Sequence, residues 1–531
     1  MTAQISKALG LPAIFDLIEA PGEFLPAVKK QELRRQGLKF TEVKGRYASL
    51  EGLLELLRVS PEQRRALREL LAELPQPALP SAGSHQSLAQ HELFLLKEFL
   101  YHYGKLLGFL RRQGWMDQFL LPDLGQIFAL LDPEGSGLPA FRISAAYSEK
   151  LGDILAQRLE LGNKLQQARA QLLQEARGEL QIPELMEEFT MSRTKVELVE
   201  RIMHSPFFTL RSESVANFSF LLADDEPCLE LKKRLSLLAQ QQEKEEERVL
   251  KDLSRQILAA LPALRSALHI LEQGAWLFLL ADFALNHDCC VPQITRKKVI
   301  RIEAAVNLPL NLHLEALGRR YQSVDYDFDQ PVSLLTGPNM GGKSTILQTL
   351  GQLCWLARLG IPLPCRKAEL PLFDDVWTNQ ADATASPDLS SFGREVVSFT
   401  EAIQQEGNTL FLLDEFARGT NPAEGELLAS AVLRHLASTG RVCVAATHFT
   451  APALLDGLAH YSIKGLDTAA PALASRLPLS PTQRLKVLSE AMDYTLERLT
   501  KNQAPPLSAI RVARILGLPE EILHYTEQKD T

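Results

Sequence analysis

Cysteine is scarce and poorly placed for metal work: six residues among 531, none in a C-x-x-C pair. Zinc ribbons and thioredoxin-like redox motifs need that spacing, so neither is expected. Cys289 and Cys290 are adjacent, and adjacent thiols bridge each other only with strain. The six read as reduced packing residues of a reducing compartment. Positive charge is also in deficit, 57 Lys and Arg against 65 Asp and Glu, for a net charge of −8. A broadly basic nucleic-acid-binding surface is excluded, although a local basic face is not. One such cluster, Arg296-Lys297-Lys298-Arg301, reads either as a solvated face or as a phosphate contact. Long apolar runs are missing too. The most apolar stretch, Gly274 to Leu285, is interrupted by Asp282, whereas a membrane span needs about 20 apolar residues. Met1 to Phe24 has early Pro and Glu and no apolar h-region, unlike a secretory signal. A soluble, cytoplasmic protein with no membrane partner is expected.

What is present is enough apolar sequence, 46% of residues, for two to four domains. Residues 1–80 read as a mostly helical segment. Leu50 to Leu57 and Pro61 to Leu74 are helical, with Ser60 placed to cap and Pro61 suited to a first turn. Pro75 to Ser84 is a linker. Residues 85–298 read as all-α. His85 to Arg112 and Ser144 to Ala176 carry helical periodicity, and Pro227 to Leu258 is a long helix whose middle, Gln240 to Arg248, is almost wholly polar. Pro262 to Asn286 reads as an antiparallel return helix. From Val299 the texture changes. Short apolar runs at Val332–Leu335, Val376–Thr378, Thr409–Leu413 and Val442–Ala446 are separated by helices, the pattern of an α/β sheet domain over 299–531.

The chemistry concentrates there. Gly337-Pro338-Asn339-Met340-Gly341-Gly342-Lys343-Ser344 fits G-x-x-x-x-G-K-[ST], between a strand-like run and a helical one. Such a loop wraps phosphate oxygens with backbone N–H groups at a helix N-terminus. Lys343 reaches the β- and γ-phosphates, and Ser344 can ligate Mg²⁺. Leu410 to Leu413 is a buried strand ending in Asp414-Glu415: an aspartate for the Mg²⁺ shell and a glutamate to orient or deprotonate water. His448 ends another apolar strand, where a γ-phosphate sensor would sit. The expected activity is ATP hydrolysis coupled to conformational change, with ATP and Mg²⁺ as cofactors.

These motifs resemble the MutS family. TGPNMGGKST at 336–345 is similar to its P-loop, and Asp414 to Thr420 resembles its D-E-x-x-R-G-T segment. Thr447-His448-Phe449 is similar to T-H-[YF]. Leu389 to Phe392 with Glu395 resembles G-x-S-T-F-x-x-E, and Pro505 to Pro519 resembles S-Y-G-I-x-V-A-x-x-A-G-L-P. The likeness covers about residues 225 to 530, including the family's core and lever helices. It implies an α/β P-loop ABC-type ATPase, a mixed sheet with helices on both faces, joined to an all-α core and lever. It also implies a homodimer, or a heterodimer with a related MutS-like subunit, whose sites are completed in trans. By the same resemblance Ser390 reaches the partner's γ-phosphate, Asn339 lies near that phosphate, Thr345 belongs to the loop, and Tyr321 stacks on adenine.

Departures bear on the client. The family's mismatch wedge, Phe-x-Glu, has the letters Phe40-Thr41-Glu42 and also Phe399-Thr400-Glu401, but the flanks of Phe40 do not resemble that module. Only about 225 residues precede the lever, and no C-terminal nuclease extension is seen. Thr420-Asn421-Pro422 replaces the usual S-T-S. DNA is one expected partner, in mismatch repair or recombination control. The alternative is a cobalamin-dependent lysine or ornithine aminomutase. The Thr-Asn-Pro variant resembles the short MutS-like proteins that reactivate such enzymes.

Overall fold

The computed structural model describes residues 3–35, 37–77, 79, 87–338, 341–380, 390–449, 451–466, 491–500, 513–514 and 517–527. The chain divides into two units. One comprises Met1–Glu73, Trp115–Leu120 and Ile270–Thr531; the other comprises Leu74–Gly114 and Leu121–His269. The boundaries expected near 80 and 298 are therefore not those of the fold. The N-terminal segment belongs with the α/β region, because its helices bury their apolar faces there.

The second unit is helical but not all-α, which corrects the expectation for 85–298. Between helices Glu149–Leu180 and Glu226–Asn286 lies a three-stranded antiparallel sheet: β1 (Glu188–Ser192), β2 (Phe208–Glu213) and β3 (Asn217–Leu222), in the order β1-β3-β2. Its Phe208, Phe220 and Leu222 share a core with Leu172, Ala176 and Leu180. Strands this short give a weak period-2 signal, and most residues of β2 are exposed.

Glu226–Asn286 is one helix of 61 residues with Pro262 inside it, so the expected return at Pro262 does not occur. A proline costs an interior helix a hydrogen bond. Here the apolar stripe continues past it through Ile257, Leu261, Leu264 and Ala267, all buried. The antiparallel partner is instead Glu149–Leu180. Glu245, 3% exposed, accepts from Ser148 Oγ at 2.8 Å, so the polar middle is packed against a neighbour and is not a bare arm. By length and composition this helix could cross a membrane, but 61% of its most apolar window is buried within the protein. Near its end Asp282, also buried, accepts from Arg64 Nε at 2.7 Å.

In the first unit, β4 (Gln293–Thr295), β5 (Ile300–Ala305), β6 (Val324–Phe328) and β8 (Lys367–Pro371) form a sheet in the order β4-β8-β5-β6. A six-stranded sheet comprises β7 (Val332–Thr336), β9 (Asp375–Thr378), β10 (Thr409–Asp414), β11 (Val442–Ala446), β12 (Ala459–Leu466) and β13 (Met492–Arg498). Its order is β13-β12-β7-β11-β10-β9. All pairs are parallel except β12 with β13. Strands buried on both faces read as continuous apolar runs, which is why β7, β10 and β11 were legible. One face packs Val332, Leu334, Phe411 and Leu413 beneath helices Ser391–Gln404 and Pro422–Ser438. On the other, Leu412 approaches Gly351 of helix Lys343–Arg358. The mixed α/β architecture with helices on both faces is as expected.

The N-terminal segment grips that last helix. Gln348 Nε2 donates to Ala8 O at 2.9 Å, Gln352 Nε2 to Leu9 O at 2.7 Å, and Tyr47 Oη to Ile361 O at 3.0 Å. Phe40-Thr41-Glu42 is a helix start: Glu42 Oε2 accepts from Lys39 N at 2.7 Å, and Lys44 and Arg296 both lie over the Phe40 ring. Phe399 is core, packed on Trp377 and Phe411. The basic cluster is engaged internally as well. Lys298 donates to Gly440 O at 2.6 Å, and Arg301 meets Asp327 and Glu369.

Candidate functional site

Parallel strands put their carboxyl ends on one edge, where open α/β sheets bind ligands. Here that edge gathers Gly337 after β7, Asn379 after β9, Asp414-Glu415 at the end of β10 and Thr447-His448 after β11. At the loop, Gly337 has φ 150° and Gly342 φ 79°, both in the region that favours glycine. A Cβ on Gly342 would also lie 3.0 Å from the Tyr494 ring. Gly341 N donates to Pro338 O at 2.9 Å, closing the turn. Lys343 opens the helix and turns back, donating from Nζ to Gly337 O at 2.9 Å and Pro338 O at 3.1 Å. Burial lowers its pKa, and the nearby charges of Glu415 and Asp414 oppose that shift. Asn339 and Met340 lie outside the described residues.

Asp414 is partly buried. Its Oδ2 accepts from Gln380 Nε2, while Oδ1 is buried with no hydrogen-bond partner among the described residues. A buried carboxylate oxygen left so is costly unless a cation or water takes it. Ser344 lines the same cavity of about 620 Å³, together with Asn379, Gln380, Arg394, Glu395, Glu415 and Arg418. A hydroxyl and an unsatisfied carboxylate oxygen are a hard-oxygen donor set that fits Mg²⁺.

Glu415 sits where the strand becomes a turn. Its N donates to Ala446 O at 2.9 Å, and its φ is 52°, with Ala417 at 64°. Left-handed backbone at a non-glycine residue costs on the order of 1–3 kcal/mol and tends to occur where function demands it. The Glu415 carboxylate is 2.7 Å from His448 Nε2 through Oε1 and pairs with Arg418 through Oε2. Nε2 therefore carries the imidazole proton, since a carboxylate only accepts. Burial lowers the His448 pKa, the Lys343 charge lowers it further, and Glu415 opposes both. Phe449 N donates to Thr447 Oγ1 at 3.0 Å, a tight turn that holds His448 at the strand end.

Tyr321 lines a second cavity, of about 660 Å³, with Gly342, Thr345, Ile346, Thr349 and Tyr494. Its hydroxyl accepts from Asn307 N at 3.1 Å, which fixes the ring at the edge of the loop helix. Ser390 is exposed and caps helix Ser391–Gln404, accepting from Gly393 N at 3.1 Å. Leu389 and most of 505–519 lie outside the described residues. The structure thus brings Lys343, Ser344, Asp414, Glu415 and His448 together, with Tyr321 and Thr345 on the adjoining cavity. Asn379, Gln380, Arg418 and Tyr494 were missed from sequence. The first two directly follow a strand that was read, so their position at a strand end was the available signal.

Residues 333–531 match the family model described as MutS domain V. Among curated proteins, the chain is similar to the protein named Endonuclease MutS2 of Caldicellulosiruptor bescii, at 27% identity over 47% of this chain and 34% of that one. The Endonuclease MutS2 of Caldanaerobacter subterraneus subsp. tengcongensis is 25% identical over 72% of this chain and 45% of its own. That of Maridesulfovibrio salexigens is 35% identical over 39% of this chain and 25% of its own. The chain thus spans from a quarter to less than half of the length of these relatives. None of them is named for an aminomutase, and the aminomutase-reactivating reading is without support and is set aside. The family-model match begins in the strand that leads into the glycine-rich loop and continues to residue 531, so it is this region of the chain, 333–531, that matches MutS domain V.

Proposed function

We propose that this chain binds and hydrolyses ATP as a dimeric, ABC-type switch of the MutS kind, acting on DNA in the cytoplasm. The observation that carries the reading is the meeting of Lys343, Ser344, Asp414, Glu415 and His448 on one strand edge, with Asp414 Oδ1 left without a partner among the described residues. Lys343 holds the β- and γ-phosphates, released from the carbonyls it now caps. Ser344 and Asp414 hold Mg²⁺, which would neutralise phosphate charge. Glu415 orients the attacking water and takes its proton. His448, donating from Nε2, senses the γ-phosphate. Tyr321 and Tyr494 flank the base in the adjoining cavity, and Ser390 serves the partner's site. The relatives' printed name supports a nucleic-acid client.

The test is ATP turnover together with DNA binding across a salt series. Phosphate contacts give a steep fall of log affinity with log salt. Binding to duplex DNA that changes between the ADP and ATP states supports the switch. No turnover and no nucleotide-dependent DNA binding refutes it.

A further inference from the structure

Asp414 is held more closely than a strand-end carboxylate requires. β9 and β10 pair in parallel as far as Thr378 opposite Leu412. Beyond that point a side chain continues the ladder. Asn379 Oδ1 accepts from Asp414 N at 2.8 Å, and Asn379 Nδ2 donates to Asp414 O at 2.8 Å and to Glu395 Oε1 at 2.6 Å. The next residue, Gln380, donates from Nε2 to Asp414 Oδ2 at 2.6 Å. An ionised carboxylate offers no proton, so the Gln380 amide nitrogen faces it.

Among the described residues, the result is a carboxylate satisfied on one oxygen only. The terminal torsion of an aspartate is broad and roughly two-fold, so without a partner either oxygen can turn toward the phosphate cavity. The Gln380 amide removes that degeneracy, holding Oδ2 and leaving Oδ1 buried and, among the described residues, unpaired. An amide suits the task. A lysine or arginine there would also orient the carboxylate but would cancel the charge a cation needs, whereas glutamine is neutral and leaves it whole. Asn379, Gln380, Asp414 and Ser344 line one cavity.

We propose that Gln380 is a positioning residue for the divalent cation: it presents Asp414 Oδ1 to the metal, on a backbone that Asn379 fixes. This rests on the nucleotide-site reading above. Partners that orient a metal ligand typically govern about 10–100-fold in metal affinity.

The experiment uses the full chain and an N-methylanthraniloyl-labelled ADP, titrated once in EDTA and once along a Mg²⁺ series. Gln380→Leu and Gln380→Met both delete the donor at similar volume. The expected result is a half-saturating Mg²⁺ concentration raised about 10–100-fold, with metal-free nucleotide affinity unchanged. Wild-type Mg²⁺ dependence in a folded variant overturns the proposal. So does an equal loss with and without metal, which marks a merely structural role, and so does failure of both variants to fold. Asp414→Asn separates the two levels of the argument. If it titrates with Mg²⁺ like the wild type, the nucleotide-site reading itself fails. If it loses Mg²⁺ dependence while the Gln380 variants keep it, only the role of Gln380 fails.

Discussion

Glu415→Gln separates chemistry from folding at this site. Glutamine keeps the shape and removes the base. Loss of a general base typically costs about 10²–10⁴-fold in rate, equivalent to roughly 2.7–5.4 kcal/mol of barrier. The folding term is much smaller. Arg418, the partner of Glu415 Oε2, is 79% exposed, and an ion pair so open to water contributes at most about 1 kcal/mol. Single-turnover ATP hydrolysis should therefore collapse while the melting temperature moves by only about 2 °C or less. His448 provides a second reading. Its pKa is lowered by burial and by Lys343, and only the Glu415 charge and hydrogen bond, net of Arg418, work to raise it. Replacing that carboxylate with an amide should lower the pKa further, which NMR titration of the imidazole would report. A histidine whose folded pKa lies below its unfolded value contributes stability above the unfolded value and loses it as pH falls through the folded one. The variant should thus lose more stability on acidification below pH 6.5 than the wild type does. Turnover within tenfold of wild type, or a rise in the His448 pKa, would refute the reasoning.

Three further outcomes follow from the geometry. Lys343→Ala should abolish nucleotide binding or hydrolysis with little change in melting, because the two hydrogen bonds it loses are offset by removing a buried ammonium; wild-type turnover would sink the assignment. Ser390→Ala should impair hydrolysis but not the ATP affinity of an isolated subunit, with about 1 kcal/mol of cap stability lost. Mixing it with Lys343→Ala should restore partial activity through one intact composite site, and no recovery in confirmed mixed dimers counts against trans completion. Asp282→Ala should destabilise the first unit by on the order of 2–3 kcal/mol in denaturant melts, below the 3–5 kcal/mol of a fully buried pair because Arg64 keeps its bonds to Asp282 O and Asn286. A change under about 0.5 kcal/mol would show that the pair is not structural.

The residues proposed for phosphate chemistry were legible because their neighbours in sequence explain them. A buried parallel strand must be continuously apolar, so β7, β10 and β11 announced themselves, and whatever polar residue ends such a strand lies on the ligand edge. Asp414, Glu415 and His448 follow from that rule, and Lys343 from the glycine-rich loop that joins β7 to the next helix. Asn379 and Gln380 obey it too, but their strand, Asp375–Thr378, is only four residues long, and their purpose lies in Asp414, 34 to 35 positions away. Tyr494 is further still from the loop it borders.

The helical half shows the opposite balance. Local periodicity predicted helices over 144–176 and 227–286, but not that Pro262 would be absorbed into one continuous helix, nor that three short strands would lie between the two. Proline's local penalty is a few kcal/mol, and an uninterrupted buried stripe on both sides outweighs it. What the sequence by itself determined was the identity and order of the candidate-site groups, since each depends on a strand, a turn and a helix start within a few residues. Which segments share a core, which oxygen of Asp414 lacks a partner among the described residues and why the first 73 residues stand with the candidate site were decided only in three dimensions. Those outcomes depend on hydrogen bonds such as Gln352 to Leu9, between residues 343 positions apart, and such pairings leave no local period to read.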